Sequence, residues 1–520
     1  MRNGFGFTRW FALSLSALLF ANAVRADQPI VRTLEGSLRG AQLQEQLQEP
    51  GVYVFKGVHY GQSTAGAGRF KPPQRVAEWQ GVRDALEFGS ICPQAGEPGR
   101  LTTTKGQLLS PGEDCLVLNV WTPSIRTDDA TRPVMVWLHG RGFYAGAGSE
   151  PLYDGARLAK RGDVVVVTIN HRLNVFGHLY LVPLGGKEFG SSGNVGVQDM
   201  QLALEWIRDN IVAFGGDAKN VTIFGESGGG VKVSTLLGVP QAKGLFHRGI
   251  IQSGARTRGM PVAIANQNTQ TVMKKLRVKT IAQLQAVPME ELLAAVTQTG
   301  RTDPDFGPVV DGTYLPNNMF DPVAAASARG VPIMVGSNKD EYALYAREHP
   351  LIGKMTEAQL RADLLPDFGA STDELITAYR QSRPQATPWD LMVAIRSNRF
   401  HVGTVRLAEA AAKVSPVFVY SFDFEASALK ASHGAEIAFV FSNATANPAA
   451  RPGAKAVEDA MSDAWIAFAR TGNPNHAGLP TWPTYDARTR ATMVFDVQSG
   501  VIDDPRAPER KVWEGKELIR

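Results

Sequence analysis

Val221-Thr222-Ile223-Phe224-Gly225-Glu226-Ser227-Gly228-Gly229-Gly230 decides how the rest of this 520-residue chain is read. A β-branched and aromatic run stops at Gly225. Ser227 then stands between small residues, and a helix can start after it. This is G-x-S-x-G, the pattern of a nucleophile elbow. The turn is so tight that the backbone nearly touches neighbouring strands, so only small residues fit beside the serine. Its hydroxyl would stand at the C-terminal edge of a sheet, facing the free N–H groups of the helix that follows. A glycine-rich turn with an incidental serine would look the same locally. The strand before it and the helix after it favour the functional reading.

Outward from the elbow, strands and helices alternate. Val134-Met135-Val136-Trp137-Leu138 and Val164 to Ile169 are continuous apolar runs, the mark of strands buried on both faces. Leu152 to Lys160 between them has helical character. Residues 197–213 predict an amphipathic helix with Met200, Ala203, Leu204, Ile207 and Ile211 on one face. Ile250-Ile251, Ile333-Met334-Val335 and Val417-Phe418-Val419-Tyr420 supply further strands, and residues 455–470 a late helix with Trp465, Ile466 and Phe468 towards the core. This alternation predicts an α/β fold: a mostly parallel sheet with helices on both faces. Residues 27–60, including Val52-Tyr53-Val54-Phe55, read as an N-terminal hairpin or meander. Residues 260–320 and 350–410 lack strand runs and read as helical insertions capping the site. The expected organisation is a single domain over 27–520.

Met1 to Ala26 reads as a secretory signal. Arg2 and Arg9 make the start basic, and Trp10 to Phe20 is apolar but too short to span a bilayer. Cleavage after Ala26 is favoured; Ala21-Asn22-Ala23 is the other candidate site, and an uncleaved anchor is the alternative. No later segment is long and apolar enough to cross a membrane. The expected location is therefore periplasmic or secreted. The formal charge of +4 comes from 54 basic and 50 acidic residues and falls to +1 without the signal. No basic tract points to nucleic acid. Cys92 and Cys115 are the two cysteines. In an exported chain they are expected to form one disulfide, contributing about 3 kcal/mol in the chain-entropy model; two free buried thiols are the alternative. Neither C-x-x-C nor H-E-x-x-H occurs, so no metal or other cofactor is expected.

Gly140-Arg141-Gly142-Phe143-Tyr144-Ala145 formally fits the dinucleotide fingerprint G-x-G-x-x-A. Bulky Phe143 and Tyr144 stand where a pyrophosphate would approach. Pro151 and several glycines follow where a helix should continue, and the next strand ends in Asn170-His171-Arg172 with no acid for a ribose. A nucleotide site is rejected.

Taken together the motifs resemble the type-B carboxylesterases, the branch of the α/β-hydrolase fold that includes cholinesterases. The resemblance covers essentially the whole mature chain. It rests on Phe55-Lys56-Gly57-Val58, Phe70-Lys71-Pro72-Pro73, Glu113 to Val120, Phe214-Gly215-Gly216-Asp217, the elbow, Pro308-Val309-Val310-Asp311-Gly312, Lys339-Asp340-Glu341 and His433-Gly434-Ala435-Glu436, in that order. It implies Ser227 as nucleophile, Glu341 as acid and His433 as base, in the chain order this fold requires. Asp340 competes with Glu341. The resemblance places oxyanion donors at the backbone N–H groups of Arg141, Gly142 and Gly228. Glu226 supports the site electrostatically or only holds the turn. Ser253 hydrogen-bonds near His433 or only ends a strand.

Two departures stand out. The family usually carries Ala where this chain has Gly228, and three successive glycines where Arg141 interrupts the run. Arg141 has three readings: a structural ion pair, a guanidinium facing the gorge to favour anionic esters, or a damaged oxyanion hole. The implied partner is a small-molecule ester, with no obligate protein partner evident. The competing function is a non-catalytic binding or adhesion relative, but such relatives typically lose the Ser or the His, and both are present.

Overall fold

A computed structural model describes residues 28–43, 51–94, 108–125, 128, 131–297, 305–447 and 449–518. The segment read as a signal lies outside the described residues. The centre is an eleven-stranded sheet. In chain order its strands are β1 (Ala41–Gln42), β2 (Tyr53–His59), β3 (Val117–Thr122), β4 (Arg132–Leu138), β5 (Val165–Ile169), β6 (Gly216–Glu226), β7 (Arg248–Gln252), β8 (Ile333–Asn338), β9 (Val417–Phe422), β10 (Ala491–Phe495) and β11 (Gly500–Asp503). Their spatial order is β11-β10-β9-β8-β7-β6-β4-β5-β3-β2-β1. The strands from β5 across to β10 run parallel, and antiparallel strands close both edges.

The apolar runs form β4, β5, β8 and β9 because a parallel strand covered by helices must be apolar on both faces. Alternate residues feed two separate cores. Val134, Val136, Val165, Val167 and Ile223 point to one face, beneath the helix Val195–Asn210. Met135, Trp137, Val166 and Phe224 point to the other, where Trp465 and Phe468 of the helix Ala454–Thr471 cover them. Ile466 is only half-buried at the margin of this layer.

Several local expectations shift. The helix expected from Leu152 begins at Ala156, after a short 3-10 turn over Pro151–Tyr153. The antiparallel hairpin expected over residues 27–60 is present, and its strand β2, which holds Tyr53 to Phe55, also joins the edge of the main sheet. Ile30–Arg32, Ser37–Arg39 and Val82–Asp84 form the separate small sheet. The insertions are not purely helical: Met260–Pro261 pairs in parallel with Val309–Val310 beside the helices Val262–Leu276, Ile281–Ala286 and Met289–Val296. The second insertion holds Glu357–Phe368, Thr372–Ser382 and the long helix Pro388–Ala411. Cys92 and Cys115 are disulfide-bonded, with Cα atoms 5.0 Å apart.

Candidate active site

β6 ends at Glu226 and the next helix runs Gly228–Gly238, leaving Ser227 alone on the bend with φ 56° and ψ −119°. A side-chain-bearing residue holds that conformation only when its surroundings over-determine it. They do so here by close contact. A Cβ on Gly225 would lie 2.6 Å from Leu138 O, one on Gly229 1.9 Å from the same oxygen, and one on Gly254 2.1 Å from Ser227 O. Ser227 N donates to Gln252 O at 2.8 Å, tying the bend to β7.

His433 follows a loop that returns to the ends of β8 and β9. Its Nδ1 lies 2.5 Å from Glu341 Oε2, and its main-chain N donates to Glu341 O. Glu341 is fully buried, and its Oε1 accepts from Asn338 N at 2.8 Å. Asp340 instead turns its carboxylate to the main chain at Ala431. The imidazole thus touches Glu341 and not Asp340.

His433 Nε2 stands 3.2 Å from Glu226 Oε1, an oxygen with no hydrogen-bond partner among the described residues. Among the described residues no hydrogen bond joins Ser227 Oγ to the imidazole. Catalytic hydrogen bonds are commonly long before substrate binds. Burial alone would make the imidazolium more acidic, but Glu226 and Glu341 outweigh it and raise its pKa to about 9. Glu226 is itself pushed up to about 8, chiefly by burial, with Glu436 and Glu341 adding repulsion.

A second layer was not singled out in the sequence. Glu436 is buried, accepting from Gln252 Nε2 at 3.1 Å and Asn338 Nδ2 at 2.6 Å. Asn338 also donates to Ser432 O, and Trp465 Nε1 donates to Gln252 Oε1. Glu436 is three residues past His433, at the end of the motif His433-Gly434-Ala435-Glu436. Ser253 follows β7 at φ 48°, and its buried Oγ takes no hydrogen-bond partner among the described residues. Phe400 and Tyr345 set their rings 4.9 and 5.3 Å from the His433 ring, and Arg399 lies over both aromatic faces. A cavity of about 810 Å³, lined in part by Pro151, Asp154, Phe424, Ala438 and Phe439, also reaches His433.

On the other side of Ser227, Arg141 and Gly142 follow β4 with φ 61° and 60°. A Cβ at residue 228 would lie 2.3 Å from Gly142 N and 2.4 Å from its Cα. The three backbone N–H groups expected as oxyanion donors therefore belong to two segments in direct contact. The glycine at 228 is what lets them meet. Arg141 Nη2 donates to Glu150 Oε2 at 2.9 Å, and Glu150 Oε1 accepts from Ala147 N. Its guanidinium is engaged by that carboxylate, in a pair whose acid is nearly buried.

The model of the carboxylesterase family matches residues 27–513. The chain is similar to the para-nitrobenzyl esterase of Bacillus subtilis, at 35% identity over 93% of this chain and 98% of that protein. It is similar to the phenmedipham hydrolase of Pseudarthrobacter oxydans, at 34% identity over the same shares. Among solved structures, a Geobacillus stearothermophilus carboxylesterase superposes with a TM-score of 0.81 and 38% identity, over 93% of this chain and 99% of that one. Sheet order, elbow and relatives agree: this chain belongs to the carboxylesterase family and has the α/β-hydrolase fold.

Proposed function

We propose that this carboxylesterase cleaves small-molecule esters through an acyl-enzyme on Ser227. The observation that carries the reading is the bend at Ser227, held strained between β6 and its helix, with the buried His433–Glu341 pair set against Glu226, the residue before Ser227. His433 Nε2 takes the Ser227 proton as Oγ attacks the ester carbonyl. The backbone N–H groups of Arg141, Gly142 and Gly228 stabilise the oxyanion. Collapse of the tetrahedral intermediate expels the alcohol, which receives the proton from His433. A water, deprotonated by the same imidazole, then attacks the acyl-enzyme and releases the acid. Glu341 holds the imidazole with Nδ1–H towards itself and stabilises the imidazolium. Glu226 adds a second carboxyl beside Nε2.

The chain acts outside the cytoplasm in this reading. The signal-like N-terminus and the disulfide support that, and no helix among the described residues is long and apolar enough to cross a membrane. The names of two relatives suggest p-nitrobenzyl esters and phenmedipham as first substrates to try.

The test is a fluorophosphonate label together with ester hydrolysis by purified mature protein. Labelling and turnover in wild type, both lost in Ser227→Ala, are expected. A folded wild type that neither labels nor hydrolyses any ester in a panel of acyl lengths and alcohols is a binding protein, and the proposal fails.

A further inference from the structure

The mechanism above does not use the buried amine of Lys232. Lys232 sits in the helix that Ser227 opens, and its side chain is wholly shielded from solvent. A fully buried lysine normally faces a carboxylate. Among the described residues none lies within ion-pair distance of this one. Its Nζ instead donates to His139 O at 2.7 Å, stands 3.5 Å from His139 Nδ1 and lies 5.5 Å from the centre of the Phe143 ring. Burial holds its pKa well below that of an ordinary lysine. An amine N–H donates in either protonation state.

The accepting oxygen is the one that matters. His139 O belongs to the planar peptide that leads into Gly140-Arg141-Gly142, so fixing it fixes the plane from which the loop departs. The next two residues after Gly140 are both left-handed, and one of them carries a side chain. Such a backbone must be held from both ends. At the far end Phe143 O accepts from Asn174 N at 2.6 Å, and Gly146 N donates to Gln94 Oε1 at 2.8 Å. At the near end stands Lys232, reaching across from the helix of Ser227. Gly229 allows the approach, since a Cβ there would lie 3.2 Å from His139 O as well as against Leu138 O. The His139 ring is steadied by stacking on His171 at 5.0 Å.

We propose that Lys232 is a positioning residue of the oxyanion hole, its Nζ bond to His139 O locking the Arg141–Gly142 N–H groups against the helix that carries Gly228 N–H. This rests on the reading of those three groups as oxyanion donors. Lys232 touches no reacting atom; it acts through the main chain.

The test compares wild type, Lys232→Met and Lys232→Gln on an ester and on the matching thionoester, whose C=S sulfur is a poorer, larger acceptor. Wild type is expected to prefer the oxoester strongly. Lys232→Met keeps the side-chain bulk and loses the donor. Its kcat on the oxoester should fall roughly a hundredfold, with KM within a few-fold and a collapsed oxo-to-thiono ratio. Gln donates but reaches about one bond short, so Lys232→Gln should fall between the two. Should Lys232→Met not fold, the Gln variant decides alone through that ratio. A wild type without oxoester preference overturns the oxyanion-hole reading itself. A wild type that prefers the oxoester, with variants that keep its ratio, overturns the role of Lys232 whether or not their rate falls.

Discussion

On one side of Ser227, His433 lies in a buried network in which Glu341, Asn338, Glu436, Gln252 and Trp465 answer one another's polar atoms. On the other, Arg141 and Gly142 hold two successive left-handed conformations against Gly228, clamped by Glu150 and by the main chain around them. The first side is fixed by hydrogen bonds between groups in relaxed backbone; the second is a strained backbone held by hydrogen bonds at its ends and by close contact with Gly228 between them. Such sides fail differently. Removing a member of the network removes a chemical role, whereas altering the loop displaces donors that are still present.

The largest effects belong to the first side. Ser227→Ala or His433→Ala should lower kcat by roughly four to six orders of magnitude, read by steady-state ester hydrolysis. Glu341→Gln should cost roughly 10³–10⁴-fold, because an amide favours the wrong tautomer of His433. Asp340→Asn should cost far less, since that carboxylate does not reach the imidazole. A worse loss from Asp340→Asn would reverse the assignment.

Next comes the loop. Gly228→Ala installs the residue usual in the family, yet its Cβ would meet Gly142 backbone atoms at 2.3 to 2.5 Å. The loop must then move, and kcat should fall roughly tenfold to a hundredfold, the scale of one displaced oxyanion donor. Unchanged kcat would mean that the loop yields freely. Arg141→Gly relieves about 1 kcal/mol of left-handed strain and removes the Glu150 pair, itself worth at most about 1 kcal/mol because the Arg141 side chain is 41% exposed and solvent screens it. Stability should barely change, and anionic and neutral esters should lose rate equally, by a few-fold. A loss confined to anionic esters would make Arg141 a recognition residue after all.

Smaller effects come from charge. In the proposed mechanism His433 acts as the neutral base, and Glu226 and Glu341, outweighing burial, raise its pKa to about 9. The acid limb of kcat/KM against pH should therefore lie above the usual histidine range, with activity rising into alkaline pH. Glu226→Gln removes one of the raising charges, so the limb should move to lower pH; an unmoved or raised limb removes Glu226 from the pair. Smallest of all should be any preference for choline esters. A cholinesterase sets a tryptophan in the disulfide loop against the quaternary ammonium, and residues 93–114 contain no aromatic residue. The kcat/KM of a choline ester should stay within tenfold of its uncharged isostere.

What the sequence discloses follows from how local each signal is. Ser227, with its glycines, and the parallel strands are written in short consecutive runs, because tight turns and two-sided burial constrain neighbours in sequence. The Cys92–Cys115 pair needed only a count. The Glu436–Gln252 bond joins residues 184 positions apart, and no pattern in one chain announces it. Lys232, between Val231 and Val233 on a helix, reads as an ordinary charged residue until the helix is seen pressed against β4. Met260–Pro261 is too short, and contains a proline, so its pairing leaves no strand signal. Positive φ at Arg141 is equally invisible, since any residue type can be written there and only the packing decides.

A rapid acid quench tests the acyl-enzyme on Ser227 most directly. Mature enzyme is mixed with an activated ester and stopped within the first turnovers, and the peptides are then weighed. The predicted result is a burst of alcohol stoichiometric with enzyme and the acyl group on the peptide containing Ser227. In Glu341→Gln the burst should slow, the acyl group remaining on the same peptide. Turnover of the ester with no acyl group on any peptide, or with it on a residue other than Ser227, would contradict the account.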